Sequence, residues 1–272
     1  MSASVVLTGA TGGIGEAIAR RLLARGDRVL LVARTSDALG RLARELGRGA
    51  EAGAVNAVAV DVTLASGRAA IVAAAMPHGC DVLINAAGIP SFGPLESLTD
   101  AHVESVVAVD LIGPILLTRA LLPLLRRSPR ATVLNVGSAI GHIGLPGFAV
   151  YGAAKFGLRG FSEALRRELA GSGVTVRHLA PRATRTGFND ARVDAYNRAT
   201  GTRSDDPERV ARAAIAMLDR GPAECVLGWR EAVAARLNGL VPGWLDPAFR
   251  AHRDAVSAPI GRAAAAPLEI SK

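Results

Sequence analysis

From residue 4 to about residue 228, short apolar runs alternate with longer segments whose apolar residues recur at helical spacing. The runs 4–8, 28–33, 55–60, 81–85, 131–136, 174–180 and 224–228 read as predominantly apolar runs rather than alternating ones, the pattern of strands covered on both faces. Between them, residues 14–25, 36–46, 102–126, 151–170 and 207–219 read as helices, the first through Ile18, Leu22 and Leu23, the second capped by Ser36. Strand–helix alternation with right-handed crossovers points to one architecture: α/β, a doubly wound parallel sheet of about seven strands with helices on both faces. No linker or low-complexity stretch divides the chain. A single domain is expected over residues 1–228, followed by a helical extension over 229–272 that packs on the domain or at a subunit interface.

The first strand runs into Thr8-Gly9-Ala10-Thr11-Gly12-Gly13-Ile14-Gly15, which opens the first helix. Gly9 suits the tight turn, Gly13 a close approach of backbone to a pyrophosphate, and Gly15 close helix–strand packing. An anion would then meet free N–H groups and the positive end of the helix dipole, as in a Rossmann fold. The second strand ends Ala33-Arg34. An acidic side chain there would take the adenosine ribose hydroxyls of NAD(H). Ala33 offers none, and the Arg34 guanidinium can grip a 2′-phosphate, so NADP(H) is favoured over NAD(H).

Tyr151 and Lys155 stand four apart at a helix start and share one face. A free phenol is a poor base at neutral pH, whereas a neighbouring ammonium favours the phenolate. Tyr151 can then give a proton to a developing alkoxide or take one from an alcohol. Ser138, at the end of the fifth strand, can donate a hydrogen bond to the substrate oxygen.

In order and spacing, TGxxxGxG, the Asn85-Ala86-Ala87-Gly88 run, Ser138, Tyr151 and Lys155 resemble the short-chain dehydrogenase/reductase family over roughly residues 4–228. The resemblance implies transfer of a hydride between nicotinamide and a ketone or secondary alcohol. It implies cofactor contacts from Gly9, Thr11, Gly12, Gly13, Ile14 and Gly15, and from Asp61 and Val62 beside the adenine. Asn85, partly structural, Ala86, Ala87 and Gly88 would follow, as would Tyr151 and Lys155. Pro181 with Thr184 or Thr186, the latter preferred by spacing, would meet the carboxamide.

Two positions depart from the family's pattern. Asp110 stands where the family usually has Asn, whose main-chain carbonyl supports a water-linked proton relay. Pro114, lacking an N–H, frees the Asp110 carbonyl and predicts a helix kink; the added carboxylate would hold Lys155 protonated if the two lie close. Arg182 replaces the usual Gly after Pro181, as a contact for an anion or a solvent-facing side chain. Asp110 is therefore counted with Ser138, Tyr151 and Lys155 as catalytic. An active enzyme is expected, with a weak or silent NADP(H)-binding regulatory protein on the same fold as the alternative. A lyase or epimerase fits less well, for want of a larger C-terminal domain.

The formal charge of +8 is spread thinly, so no nucleic-acid partner is expected. Cys80 and Cys225 belong to no metal-ligand motif, no metal is expected, and His142 and His178 read as a loop residue near the pocket and a strand residue. No leader or run of 18 apolar residues is seen, and a cytoplasmic location is expected. Residues 187–203 are expected to form a substrate lid. Phe92, Ile143, Leu145, Phe148, Phe188 and Tyr196 give a largely apolar pocket and a lipophilic carbonyl or alcohol as substrate. The resemblance implies assembly as a homodimer or homotetramer through residues 103–125 and 151–169. Trp229, Val233, Leu237, Leu240 and Trp244 form an apolar stripe that would pack on the protein or, less favoured, touch a membrane surface with Arg230, Arg236 and Arg250.

Overall fold

The computed structural model of the chain describes residues 2–257. Seven parallel strands form one sheet in the order β3-β2-β1-β4-β5-β6-β7. They are β1 (Ser4–Thr8), β2 (Arg28–Ala33), β3 (Val55–Ala59), β4 (Val82–Asn85), β5 (Ala131–Val136), β6 (Val174–Ala180) and β7 (Glu224–Val226). On one face, α1 (Gly13–Ala24), α2 (Ser36–Gly47) and α8 (Pro207–Arg220) bury Ile18, Leu22, Leu39, Val210 and Met217 against Leu7, Leu31 and Leu134. On the other, α3 (Ala65–Ala75), α5 (Gly113–Leu125) and α6 (Ala149–Glu168) bury Ile71, Leu117, Leu121 and Leu165 against Val6, Leu83 and Val133. The strand order reverses between β1 and β4, and a crevice opens at the carboxyl ends of such strands.

The expected seven-stranded, doubly wound sheet is present, with local differences. β3 is an edge strand and largely exposed, not covered on both faces. α2 begins after Thr35 rather than being capped by Ser36, and no side-chain hydrogen bond closes its end. The helix α3 was not foreseen: its Ala-rich sequence carries almost no amphipathic stripe. The long helix expected over 102–126 is three pieces: α4 (Asp100–Val107), a π-helical turn (Ala108–Ile112) and α5. At that turn the Gly113 N–H bonds the Ala108 carbonyl, one residue further back than in an α-helix. Pro114 cannot donate to the carbonyl four residues behind it, so the widened turn stands where the kink was expected.

The lid segment carries α7 (Ala191–Ala199), capped by the Asp190 carboxylate accepting from Val193 N at 2.9 Å. The extension contains α9 (Trp229–Leu240), two 3₁₀ turns (Pro242–Trp244 and Asp246–Phe249) and α10 (Arg250–Ser257). Trp229, Leu240 and Trp244 are 76%, 79% and 82% exposed, so the stripe is not packed on its own domain. The run Asp100–Leu125 is long and apolar enough to cross a membrane by composition, but Val106, Leu117, Leu121 and Leu125 lie in the core.

Candidate active site

A cavity of about 900 Å³ runs along the carboxyl ends of the strands. Its floor is the turn between β1 and α1, where Gly9, Thr11, Gly12, Gly13, Ile14 and Gly15 all face the space. Gly9 has φ +68°, and a Cβ there would lie 2.6 Å from the Ala86 carbonyl oxygen. Only glycine fits that turn. A Cβ on Gly15 would strike the Gly9 carbonyl. A Cβ on Gly13 would meet the Thr186 methyl at 2.7 Å, so this glycine also makes room for a protein side chain. Thr8 was missed: its hydroxyl accepts from Ala86 N (3.1 Å) and Ala87 N (3.2 Å), fixing the wall after β4 to the glycine turn. A threonine at the end of the first strand was its only signal.

Arg34 is exposed and lines the cavity, as do Asp61 and Val62. Asp61 Oδ1 accepts from Thr63 N and Oγ1 at 2.8 and 2.7 Å, an Asx turn that sets the bend after β3. Ala86, Ala87 and Gly88 form the wall. Asn85 does not face the cavity. Its buried amide donates to Asn135 Oδ1 (2.8 Å) and Thr118 Oγ1 (3.2 Å) and ties β4 to β5 and α5. The cofactor contact expected of Asn85 therefore gives way to a purely internal role for its side chain.

At the far wall stand Ser138, Tyr151 and Lys155. Ser138 caps the 3₁₀ turn Ala139–Gly141 by accepting from Ile140 N at 3.2 Å. The Lys155 ammonium lies 5.4 Å from the Tyr151 ring centroid. Asp110 joins them through its side chain, whereas the expectation centred on its main-chain carbonyl. Its carboxylate is wholly buried; Oδ1 accepts from Ile89 N at 2.8 Å and Oδ2 forms an ion pair with Lys155 Nζ at 2.9 Å. A Cβ on Gly88 would lie 3.0 Å from that Oδ2.

Burial pulls the Lys155 ammonium down, but the Asp110 carboxylate and the Tyr151 oxygen more than offset it and hold Lys155 above its ordinary value. Burial pushes the Tyr151 phenol up; Lys155 and Ser138 draw it down and Asp110 pushes it up again. The net direction for Tyr151 is upward, which corrects the expectation of a lowered value. Lys155 acts in the expected sense, but much of its charge is spent on Asp110.

Pro181, Thr184 and Thr186 all line the cavity. Thr184 Oγ1 already donates to the Arg182 carbonyl at 2.9 Å. Thr186 accepts from Phe188 N at 3.2 Å and packs on Gly13. Of the two expectations for Arg182, contact with an anionic group holds, and the anions are carboxylates of the chain itself. The Arg182 guanidinium donates to Asp205 (2.7 Å) and Glu231 (3.3 Å), joining the segment after β6 to the base of α8 and to α9.

The wall near Tyr151 is apolar, with Ile143, Leu145, Phe148, Phe188 and Tyr196 upon it. Phe92 stands behind that wall, its ring 4.9 and 5.0 Å from those of Phe148 and Tyr196. The extension contributes Leu245, Ala248 and Phe249, which sequence spacing did not single out. The Tyr196 hydroxyl and His252 Nδ1, 2.5 Å apart, hold α10 against the lid.

Residues 3–197 match the short chain dehydrogenase family profile. The chain is 35% identical to nodulation protein G of Rhizobium sp. (strain N33) over 82% of its own length and 91% of that protein. It is 31% identical to the 3-oxoacyl-[acyl-carrier-protein] reductase FabG of Vibrio cholerae serotype O1, over 82% of this chain and 92% of that one. Among solved structures, a variant of actinorhodin polyketide ketoreductase with NADPH superposes with a TM-score of 0.74 at 30% identity, over 83% of this chain and 95% of that chain. The glycine turn, the strand order and the profile agree: this chain belongs to the short-chain dehydrogenases, an oxidoreductase family that works with nicotinamide cofactors.

Proposed function

We propose that the chain is an NADP(H)-dependent carbonyl reductase acting on a lipophilic ketone, with Tyr151 as the proton donor. The observation that carries this reading is the cluster of Ser138, Tyr151, Lys155 and Asp110 on one wall of a cavity whose floor is the glycine turn. The cavity suits a dinucleotide: glycines clear its floor, a helix N-terminus would meet the phosphates, and the exposed Arg34 in its lining favours a 2′-phosphate. Bound nicotinamide supplies the hydride on reduction and takes it on oxidation. Ser138 orients the carbonyl oxygen, and Tyr151 delivers its phenolic proton as the oxygen becomes an alkoxide. Lys155 steadies the resulting phenolate, and Asp110 keeps Lys155 charged. Held above its ordinary range, the Tyr151 phenol carries its proton at neutral pH, the form that donates in reduction. The apolar wall of Ile143, Leu145, Phe148 and Phe188 supports the lipophilic substrate.

Residues 1–228 form the catalytic unit in this reading, and 229–257 close over the substrate end through Leu245 and Phe249. Two copies would meet through the long helices, where Ile112 and Phe156 are 45% and 38% exposed. Titration of the protein with NADPH and NADH, followed by nicotinamide fluorescence, tests the cofactor assignment. NADPH should bind more tightly, with the advantage removed in Arg34→Ala. Equal or tighter NADH binding overturns the assignment.

A further inference from the structure

We propose that His142, His178 and Glu224 form a zinc-binding site that pins the loop after Ser138 to the β6–β7 edge of the sheet. The topology brings these residues together across long sequence separations. His178 and Glu224 are register partners on adjacent parallel strands, so their side chains emerge on one face. His142 follows the Ala139–Gly141 turn and comes down over both. Both imidazoles are buried, and Glu224 is partly open to solvent, which leaves an entry path.

The three donor atoms lie within 4.8 Å of one another. His142 Nε2 and His178 Nδ1 are each 3.6 Å from Glu224 Oε1. That is too long for a hydrogen bond and near the ligand–ligand edge of a tetrahedral zinc, about 3.3 Å for metal–ligand bonds of about 2.0–2.1 Å. Both nitrogens are buried without a hydrogen-bond partner. The ring of His178 has room because residue 137 is glycine: a Cβ there would lie 2.7 Å from His178 Cε1. Two imidazoles and a carboxylate suit zinc, with solvent as the fourth ligand.

Arg159 is the competitor. Its Nε donates to the same Glu224 Oε1 at 2.8 Å, and its side chain is about one-third exposed, so it can swing away when a metal arrives. The site and its competitor give opposite expectations. The full chain, stripped with chelator, is titrated with Zn²⁺ by calorimetry, and with Co²⁺ as a spectroscopic probe. The wild type should take one equivalent, with the intense visible bands of tetrahedral cobalt. His142→Ala and Glu224→Gln should weaken binding by about tenfold or more, since even outer partners of a zinc ligand matter at that level. Arg159→Ala should tighten it. Far-ultraviolet circular dichroism checks that the variants fold; should a ligand variant fail, the cobalt spectrum and Arg159→Ala decide. No stoichiometric binding by the wild type, octahedral cobalt bands only, or affinity indifferent to these substitutions would overturn the site.

Discussion

Lys155 Nζ and Asp110 Oδ2 are 2.9 Å apart in an interior that leaves Asp110 no exposed surface. The pair links the π-helical turn to the helix carrying Tyr151, and the other Asp110 oxygen holds Ile89 N. One carboxylate thus serves the wall of the cavity and the charge beside the phenol.

Asp110→Asn keeps an acceptor for Ile89 N and removes the charge. The Asp110 carboxylate raises the Tyr151 value, so its loss lets that value fall. In the oxidation direction, the pH at which activity half-rises should move to lower pH. Reduction at neutral pH should change by less than about tenfold, a small part of what proton transfer contributes. With the single Asn oxygen on Ile89 N, the amide nitrogen faces the Lys155 ammonium and cannot accept from it, so the stability loss should be that of a broken buried pair, about 3–5 kcal/mol. A pH–rate profile and a urea melt read both; an unmoved profile, or complete loss of activity, contradicts this role.

Gly9→Ala should destabilise the fold by at least about 1–2 kcal/mol, the cost of a left-handed residue with a Cβ. The new methyl must also displace the Ala86 carbonyl 2.6 Å away. NADPH affinity should fall with it, because the same peptide faces the cavity. A variant as stable as the wild type would show that the turn relaxes.

Asn85→Ala separates structure from cofactor binding. It strands Asn135 and Thr118 in the core and should cost about 1–3 kcal/mol. Affinity for NADPH in the folded variant should stay as in the wild type. A selective loss of affinity without a loss of stability would restore Asn85 to the cofactor site.

Arg182→Ala should lower stability by about 2 kcal/mol, less than for an isolated pair because Arg209 remains 3.0 Å from Asp205. The substitution also frees Glu231 from the segment after β6. Limited proteolysis should then cut near residues 187–203 faster than in the wild type. Unchanged cleavage would mean that the lid is held elsewhere.

The sheet and the glycine turn were legible because burial on both faces leaves predominantly apolar strands, and because a strand, a glycine run and a helix follow one another in sequence. Asp110 could be singled out from its place in the run before Pro114, and its nearness to Lys155 could be stated only as a condition. Arg182 was not legible: its partners Asp205 and Glu231 lie 23 and 49 residues away, and nothing in the local sequence names them. The same holds for His142, His178 and Glu224, which only the strand pairing brings together. The helix α3 escaped because an Ala-rich segment has no stripe to read. Phe249 escaped because the extension folds back on the cavity by tertiary packing alone.

The central claim is hydride transfer with Tyr151 as the acid, and NADPH consumption with a panel of apolar ketones tests it most directly, comparing the wild type with Tyr151→Phe. The account predicts turnover by the wild type and a loss of about 10²–10⁴-fold in the variant, with NADPH binding retained. Turnover undiminished in Tyr151→Phe, or NADPH binding by the wild type with no ketone reduced, would contradict it.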